Sequence, residues 1–263
     1  MRVGVFDSGL GGLTVLNKAL DILPDEHFLY FADVDHVPYG EKTREQIVEF
    51  VDGAVDYMEN EGCKVIVIAC NTATSAGVDF LREKYDFLPI IGIEPAVKPA
   101  VLHFSGGKRV LVVATPITVK GEKLKRLIET YDKDHIVDTV ALSELVNYAE
   151  KGIFDTDIIV PYLHDALKNF NPDDYGVLVL GCTHFNFFKD SFKIVMPGVQ
   201  IIDGSTGSAS YLKTRMEEEG LLATKEDRTE EEKVIYVESG RPVTDKAELE
   251  KIDRLCKRWR ELN

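Results

Sequence analysis

The feature that most constrains the fold is a regular alternation of short apolar segments with helical periods. Eight segments are rich in β-branched and other apolar residues, and each is too short to be read as a buried helix. Continuous apolar strands are typical of a parallel sheet that is covered by helices on both faces, so an α/β fold is predicted. The segments are Arg2–Phe6, Phe28–Ala32, Lys64–Ala69, Ile90–Ile93, Arg109–Ala114, Ile136–Thr139, Val177–Leu180 and Val199–Ile202.

Helical periodicity fills the gaps between these strands. Apolar side chains recur on one face of the segments Gln46–Glu59, Ile158–Asn169 and Asp245–Leu262, which predicts amphipathic helices there. The segment Glu217–Lys233 is dense in charged residues, and we expect it to be solvated.

Two pairs of strand segments resemble each other at nearly the same offset. Arg2–Ser8 (RVGVFDS) is similar to Arg109–Thr115 (RVLVVAT), and Val65–Thr72 (VIVIACNT) is similar to Val177–His184 (VLVLGCTH). The matches keep the same order, which indicates an internal repeat. We therefore predict two similar lobes, each a mainly parallel sheet flanked by helices, with the active site in the cleft between them. The predicted lobes comprise residues 1–96 plus 208–263, and residues 97–207.

Charge and hydropathy exclude several classes of function. The 263 residues include 31 basic and 45 acidic side chains, a net charge of −14, which opposes non-specific binding to nucleic acid or to an anionic membrane surface. No apolar run approaches the ~18 residues of a membrane helix. Asp7 interrupts the first apolar stretch, so no signal peptide is predicted. We expect a cytoplasmic protein with neither nucleic-acid nor membrane partners.

Two of the four cysteines stand in a context that suggests chemistry. Cys70 and Cys182 each follow a strand of the repeat and come just before a predicted helix, where the helix dipole favours a thiolate and lowers the pKa of a thiol. Cys63 and Cys256 lack this context, and we interpret them as structural. There is no C-x-x-C pair, and a disulfide framework is not expected in a cytosolic chain.

The repeat predicts one thiol on each side of the cleft. Two acid–base groups on opposite faces of one carbon are what stereoinversion requires, because one removes a proton and the other returns a proton from the far side. The same residues also allow a zinc site of Cys70, Cys182 and His184, a Cys–His protease, or buried cysteines with no chemical role. Structural zinc prefers four ligands in close local pairs, and the protease signature is absent. A Ser–His–Asp hydrolase is disfavoured because Ser8 lacks the G-x-S-x-G pattern.

A glycine-rich loop, Asp7–Gly12, follows the first strand and opens a helix. It lacks the G-x-G-x-x-G pattern of dinucleotide sites. Free N–H groups at a helix start nevertheless suit an anion such as a carboxylate. The structural alternative is a tight turn in which Asp7 or Ser8 is the N-cap.

Five short motifs stand in order along the chain: DSGLGG at Asp7–Gly12, VPYG at Val37–Gly40, ACNTA at Ala69–Ala73, ATPIT at Ala114–Thr118 and GCTHF at Gly181–Phe185. Taken together, they resemble the motifs of the glutamate racemase family, which belongs to the cofactor-independent aspartate/glutamate racemases. The resemblance runs from Met1 to about Gly207, and Val234–Gly240 is similar to a late strand of the family. The histidine after G-C-T favours glutamate racemases over aspartate racemases.

The resemblance implies a role for each matching residue. Cys70 and Cys182 correspond to two catalytic thiols, and Asp7 to an acidic residue near the first thiol and the substrate amino group. His184 corresponds to a group that assists the second thiol, with Glu150 as a glutamate on the same side. Several of these positions have a helix cap or a turn as their structural alternative. The implied substrate-binding residues are Asp7, Ser8, Tyr39, Gly40, Asn71, Thr72, Thr115, Thr118, Thr183 and His184.

The resemblance also implies the reaction. L- and D-glutamate would be interconverted by proton abstraction and return at Cα, with Cys70 acting on the D-enantiomer and Cys182 on the L-enantiomer. It implies no cofactor, no metal, a homodimer, and a supply of D-glutamate for peptidoglycan. The alternatives are a related two-cysteine racemase or isomerase acting on another acid, and a non-catalytic amino-acid-binding module. Two departures from the family pattern are Asp35-His36 before VPYG, and Asn186-Phe187 where the family commonly has proline.

Overall fold

The computed structural model describes residues 1–224 and 232–263, and within them two sheets are formed by ten strands. The eight predicted strands are confirmed, with ends that shift by at most two residues. The strands are β1 (Arg2–Asp7), β2 (Phe28–Ala32), β3 (Cys63–Ile68), β4 (Ile90–Gly92), β5 (Arg109–Ala114), β6 (Val137–Ala141), β7 (Tyr175–Gly181), β8 (Gln200–Asp203), β9 (Val234–Glu238) and β10 (Arg241–Pro242).

Helices connect these strands. Short 3₁₀ turns lie at Tyr39–Glu41, Pro172–Asp174 and Thr183–Phe188, and a π-helical turn lies at Ala100–Phe104. The α-helices are α1 (Leu13–Ile22), α2 (Arg44–Asn60), α3 (Asn71–Lys84), α4 (Val97–Pro99), α5 (Pro116–Lys120), α6 (Glu122–Tyr131), α7 (Glu144–Glu150), α8 (Thr156–Leu167), α9 (Lys189–Val195), α10 (Ser205–Glu218) and α11 (Lys246–Leu262).

Both sheets are almost entirely parallel, as the sequence predicts. The first has the order β10-β9-β2-β1-β3-β4, and the second has the order β6-β5-β7-β8. Only the short pair β9 and β10 is antiparallel among the strand pairs of the described residues. Because strands in a parallel sheet end at the same edge, the segments that follow β1, β3, β5 and β7 gather at the carboxyl edges of the two sheets.

Helices cover both faces of the first sheet. Val3 and Val5 of β1 are buried with α1 on one face, and Phe6 is buried with α2 and α3 on the other face. The second sheet likewise alternates its side chains between two buried clusters. This two-sided burial explains why the strands are apolar at nearly every position.

The chain returns to the first sheet after it has completed the second. β9 pairs in parallel with β2, and α10 and α11 both pack against α1. The lobe boundaries at residues 96/97 and 207/208 stay a prediction. The segment Glu217–Lys233 is predicted to be solvated. Its first two residues belong to the exposed end of α10, and residues 225–231 lie outside the described residues. No helix of the described residues is both long and apolar enough to cross a membrane.

A buried ion pair connects the first sheet to the loop before β2. Lys64 Nζ in β3 lies 2.7 Å from Glu26 Oε2, and both side chains are less than a tenth exposed. Glu26 Oε1 also accepts the N–H of Ala223, at 2.5 Å. The carboxylate therefore holds the segment after α10 to the base of the first lobe.

Replacement of Lys64 by methionine should destabilise the protein by ~3 kcal/mol, because it leaves the Glu26 carboxylate buried without its cation. Urea unfolding monitored by circular dichroism measures the loss. The matched control is Lys257→Met, whose ion pair with Asp253 on α11 is exposed. That control should change the free energy of unfolding by less than ~1 kcal/mol. Equal losses for the two variants would contradict the argument.

Candidate active site

Side chains from the carboxyl edges of the two sheets meet between the lobes. Thr183, which follows β7, donates its hydroxyl to Asp7 at the end of β1, with Oγ1 and Oδ1 3.2 Å apart. The hydroxyls of Thr72, after β3, and Thr115, after β5, lie 2.8 Å apart. Each contact joins one sheet to the other, so the cleft predicted from the repeat contains a polar cluster drawn from both lobes.

Cys70 is the N-cap of α3 and is buried. Its sulfur accepts the N–H of Ala73 at 3.4 Å, and its thiol donates to Ser8 Oγ at 3.5 Å. Burial, followed by the charge of Asp7, raises the pKa of the Cys70 thiol to about 12. The expectation that a helix start lowers the pKa of this thiol is wrong for Cys70, because loss of solvent outweighs the hydrogen bonds to the sulfur.

Cys182 has a different set of neighbours. A 3₁₀ turn follows it, and α9 begins only at Lys189, so the helix expected directly after this cysteine lies six residues later. The Cys182 sulfur is 3.9 Å from His184 Nδ1. His184 Nε2 donates to Glu150 Oε1 at 2.6 Å. The structure thus forms a chain of three side chains, from thiol to imidazole to carboxylate.

The imidazole and the carboxylate of this chain form a buried ion pair. Burial disfavours the charged form of His184, but hydrogen bonds to Cys182 and Glu150 outweigh it and raise the His184 pKa well above its usual value. Burial also opposes charge on Glu150, yet the bond and charge of His184 lower the Glu150 pKa. The imidazolium of this pair therefore lies beside the Cys182 sulfur. Glu150 itself is mostly buried, with 14% of its side chain exposed.

Glu150 also connects the two lobes. The oxygen that accepts from His184 accepts the backbone N–H of Leu10 as well, at 2.7 Å. A Cβ added at Gly9 would overlap the Glu150 carboxylate, and one added at Gly11 would lie 2.5 Å from both His184 Nδ1 and Thr183 Oγ1. The loop needs glycine at these positions because the second lobe approaches its backbone.

Asp7 is fully buried beside this loop. The N–H of Gly9 donates to Asp7 Oδ2 at 3.2 Å. Burial is the dominant influence and raises the pKa of Asp7 to about 6, although the His184 charge and the loop amides act in the opposite direction. Gly12 is the N-cap of α1, and no side chain caps this helix. The alternative in which Asp7 or Ser8 serves as the helix cap is therefore wrong.

The remaining predicted binding residues lie near the polar cluster between the lobes. Tyr39 is buried, and a Cβ added at Gly40 would stand 3.5 Å from Thr115 Cβ. Thr115 is the N-cap of α5, and its hydroxyl lies 3.1 Å from the hydroxyl of Thr118. Thr115 therefore caps a helix and also belongs to the polar cluster. Asn71 is buried at the start of α3.

Sequence reasoning missed Asp33, which accepts hydrogen bonds from three side chains. Tyr39 donates to it at 2.6 Å, Ser239 at 2.9 Å, and His36 Nδ1 lies 2.9 Å from it. Asp33 follows the end of β2 as Asp7 ends β1, and this shared position at a strand end was the available signal. Asp33 holds Tyr39 and the VPYG loop to the first sheet.

The two departures from the family pattern fill structural positions. Asp35 forms a paired contact with Arg241 at 2.7 and 2.8 Å, and the His36 ring stacks on Phe50. Asn186 donates to the Thr183 carbonyl at 3.3 Å, and Phe187 is buried. Neither departure inserts a side chain between the cysteines and their polar neighbours.

The metal alternative finds no support in the part of the chain that the structure describes. There, no group of three or more His, Cys, Asp and Glu side chains is arranged to hold a metal ion. Cys70 and Cys182 instead have separate neighbours, Ser8 for one and His184 for the other.

Comparison with known proteins identifies the family of this chain. Residues 13–211 match the profile of the family described as Asp/Glu/Hydantoin racemase. The chain belongs to this racemase family. The resemblance found in the five motifs is thereby confirmed, and the chain is an enzyme of the isomerase class.

Individual members of the racemase family resemble the chain over nearly its whole length. A glutamate racemase of Lachnospira eligens is 50% identical over 260 residues, which cover 98% of this chain and 97% of the relative. A glutamate racemase structure from Francisella tularensis in complex with D-glutamate has a TM-score of 0.81 at 26% identity, covering 99% and 93% of the two chains. An Escherichia coli glutamate racemase structure in complex with L-glutamate and the activator UDP-MurNAc-Ala has a TM-score of 0.81 at 28% identity, covering 98% and 95%.

Asp7→Asn should be more stable than the wild type at about pH 8, and this advantage should shrink as the pH falls toward 4. The folded protein holds the Asp7 proton more tightly than the unfolded chain does, so wild-type stability falls as pH rises from about 4 to about 6. An asparagine amide does not titrate and so avoids this loss of stability, which is ~3 kcal/mol for a pKa difference of about 2 units. Urea unfolding between pH 4 and about pH 8 measures the difference in stability between variant and wild type, and Asp21→Asn on the exposed face of α1 is the control. A stability difference that does not vary with pH would refute the argument.

Gly11→Ala should destabilise the protein by ~1–3 kcal/mol, because the new methyl group is forced against Thr183 and His184 of the other lobe. Gly53→Ala is the control: this glycine lies on α2 with nothing within 4 Å of an added Cβ. The control should stabilise the protein by up to ~1 kcal/mol through helix propensity. Thermal or urea unfolding compares the two. Similar effects at both positions would show that the close approach at Gly11 is not restrictive.

Proposed function

We propose that this chain is a glutamate racemase that inverts Cα between two thiols and uses no cofactor or metal. The observation that carries the proposal is that Cys70 follows β3 of the first sheet and Cys182 follows β7 of the second, and that both are buried where side chains of the two sheets meet. Relatives named glutamate racemase, and neighbours in complex with D- and L-glutamate, support the substrate.

In the proposed reaction the Cys70 thiolate removes the α-proton of D-glutamate, and the electron pair of the C–H bond stays on Cα. The Cys182 thiol then donates its proton to the opposite face, which yields L-glutamate and leaves Cys182 as thiolate. The reverse reaction begins with Cys182. One proton is removed and one is returned in each turnover, so no redox partner is required.

The electrostatics of the two sides differ in a way that suits these roles. On the second lobe, the positive charge of the His184 imidazolium lies 3.9 Å from the Cys182 sulfur. On the other side, the pKa of Cys70 is raised to about 12, and Asp7 adds negative charge. The ammonium group of glutamate, bound beside Asp7, would supply the missing positive charge there. We therefore infer that Asp7 acts through the substrate, whereas His184 acts directly on Cys182 and Glu150 acts through His184.

The proposed substrate-binding groups are mostly neutral donors. Preorganised dipoles in a site without water can stabilise a carbanion-like transition state, because they need no reorientation during the reaction. We assign this role to the amides of the Asp7–Gly12 loop and to the polar groups of Ser8, Tyr39, Gly40, Asn71, Thr72, Thr115, Thr118 and Thr183.

We propose further that the lobes comprise residues 1–96 plus 208–263 and residues 97–207, so that each lobe contributes one thiol. The enzyme would work in the cytoplasm as a homodimer, with glutamate as its partner and no nucleic acid or membrane. It would supply D-glutamate for peptidoglycan synthesis. A racemase or isomerase of another acid, and a non-catalytic amino-acid-binding module, are the competing functions.

Purified protein, with chelator present and no cofactor added, should convert L- to D-glutamate in D₂O and incorporate deuterium at Cα. Cys70→Ser and Cys182→Ser should each reduce racemisation at least ~10³-fold, because each removes one acid–base group. A single variant should still eliminate the halide from a β-halogenated glutamate, since that reaction needs one base. Chiral chromatography and ¹H NMR measure turnover and exchange.

Cys63→Ser and Cys256→Ser are the matched controls, since these thiols lie outside the polar cluster, and they should retain activity. A panel of amino acids tested in parallel separates the competing functions. Faster turnover of another acid would replace the proposed substrate, and glutamate binding without deuterium exchange would indicate a binding module. Normal racemisation by Cys70→Ser would refute the two-thiol mechanism.

A further inference from the structure

A cavity of about 550 Å³ lies between the lobes, next to the candidate active site. The middle of α3 forms its wall on the first lobe, and α5 and the start of α6 form its wall on the second lobe. Gly40 and Arg44 line one side of it. We call this space the entrance cavity.

The entrance cavity shares a wall with the proposed substrate site. Gly40 and Pro116 line it, and they are the chain neighbours of Tyr39 and Thr115, two proposed binding residues. A Cβ at Gly40 would be 3.5 Å from Thr115 Cβ, and the Thr115 hydroxyl is hydrogen-bonded to Thr72 of the other lobe. The cavity therefore borders the side of the proposed substrate site that Tyr39 and Thr115 form.

Positive charge predominates around this cavity, although the whole chain has a net charge of −14. Four cations line it, against the two carboxylates of Asp79 and Glu122. Asp79 lies 3.2 Å from Lys123, and Glu122 lies 4.0 Å from Lys125 outside the lining. The other three lining cations, Arg44, Lys120 and Arg126, have no carboxylate within 4 Å among residues 1–224 and 232–263.

We propose that the entrance cavity is an anion-collecting site through which dicarboxylate substrates reach the cysteines. The proposal rests on the proposed function for the identity of the substrate, glutamate, which carries a net charge of −1 at neutral pH. A concave surface of one sign focuses the field and raises the local concentration of an oppositely charged ligand. Without it, the net negative charge of the chain would repel the substrate.

The unpaired side chains of Lys120 and Arg126 are the groups to test. Lys120→Gln combined with Arg126→Gln should lower kcat/KM for L-glutamate about threefold or more at low ionic strength, through KM rather than kcat. The difference should vanish near 1 M NaCl, where the Debye length is about 3 Å. The matched control removes two exposed cations elsewhere, Lys108→Gln with Lys193→Gln, and should leave kcat/KM and its salt dependence unchanged.

A binding measurement that needs no turnover separates this proposal from the proposed function. Glutarate, an unreactive dicarboxylate, is titrated into the ¹⁵N-labelled wild-type protein and the two double variants. In wild type and control, the backbone amides of Gly40 and Gly121 should shift at the same glutarate concentration. In the Lys120/Arg126 variant, the same amide shifts should require about a threefold higher concentration of glutarate.

Failure of the proposed function and failure of the entrance proposal would give different results. Glutarate shifts at Gly40 and Gly121 without any racemisation by the wild type would refute the proposed function and leave the anion site standing. Racemisation without these shifts, and with an unchanged salt dependence in the Lys120/Arg126 variant, would overturn the entrance proposal. Equal losses in the two double variants would overturn it as well, because net charge rather than position would then be responsible.

Discussion

The hydrogen bonds of the Glu150 carboxylate hold the candidate site together. One oxygen accepts from His184 on its own lobe and from the Leu10 amide on the other, at 2.6 and 2.7 Å. The carboxylate therefore orients the imidazole beside Cys182 and fixes the position of the glycine loop beside Asp7. If this contact were lost, a buried imidazolium and a buried backbone N–H would both be without their partner, which is costly away from water.

Burial governs the chemistry of the site as much as the identity of its residues. The carboxyl edges of two parallel sheets face each other, so Asp7, His184 and the two thiols lie where water is excluded. Loss of solvent raises the pKa of Asp7 to about 6 and that of Cys70 to about 12. A site of this kind destabilises the free protein, because charge is held where solvent cannot screen it. The same exclusion of water strengthens every interaction with a bound substrate.

The two lobes are similar in fold but unequal in their electrostatics. The first lobe brings Asp7 and a thiol whose pKa is raised, whereas the second brings a thiol next to an imidazolium. A substrate that carries both a cation and anions matches this asymmetry, since its ammonium suits the first side. The cavity next to this site is lined by four cations and two carboxylates, although the chain as a whole is strongly acidic.

The sequence by itself determined the parallel α/β architecture, because strands buried on both faces must be apolar at nearly every position. It also determined that Cys70 and Cys182 occupy equivalent places, since strand ends in a repeated fold are equivalent. Only the tertiary structure decided that the pKa of Cys70 is raised, because a pKa depends on burial and on neighbours distant in sequence. Cys70 lies 62 residues from Ser8, and Glu150 lies 140 residues from Leu10. The role of Asp33 and the capping of α1 by Gly12 likewise depend on which backbone and side-chain groups the folded chain brings together.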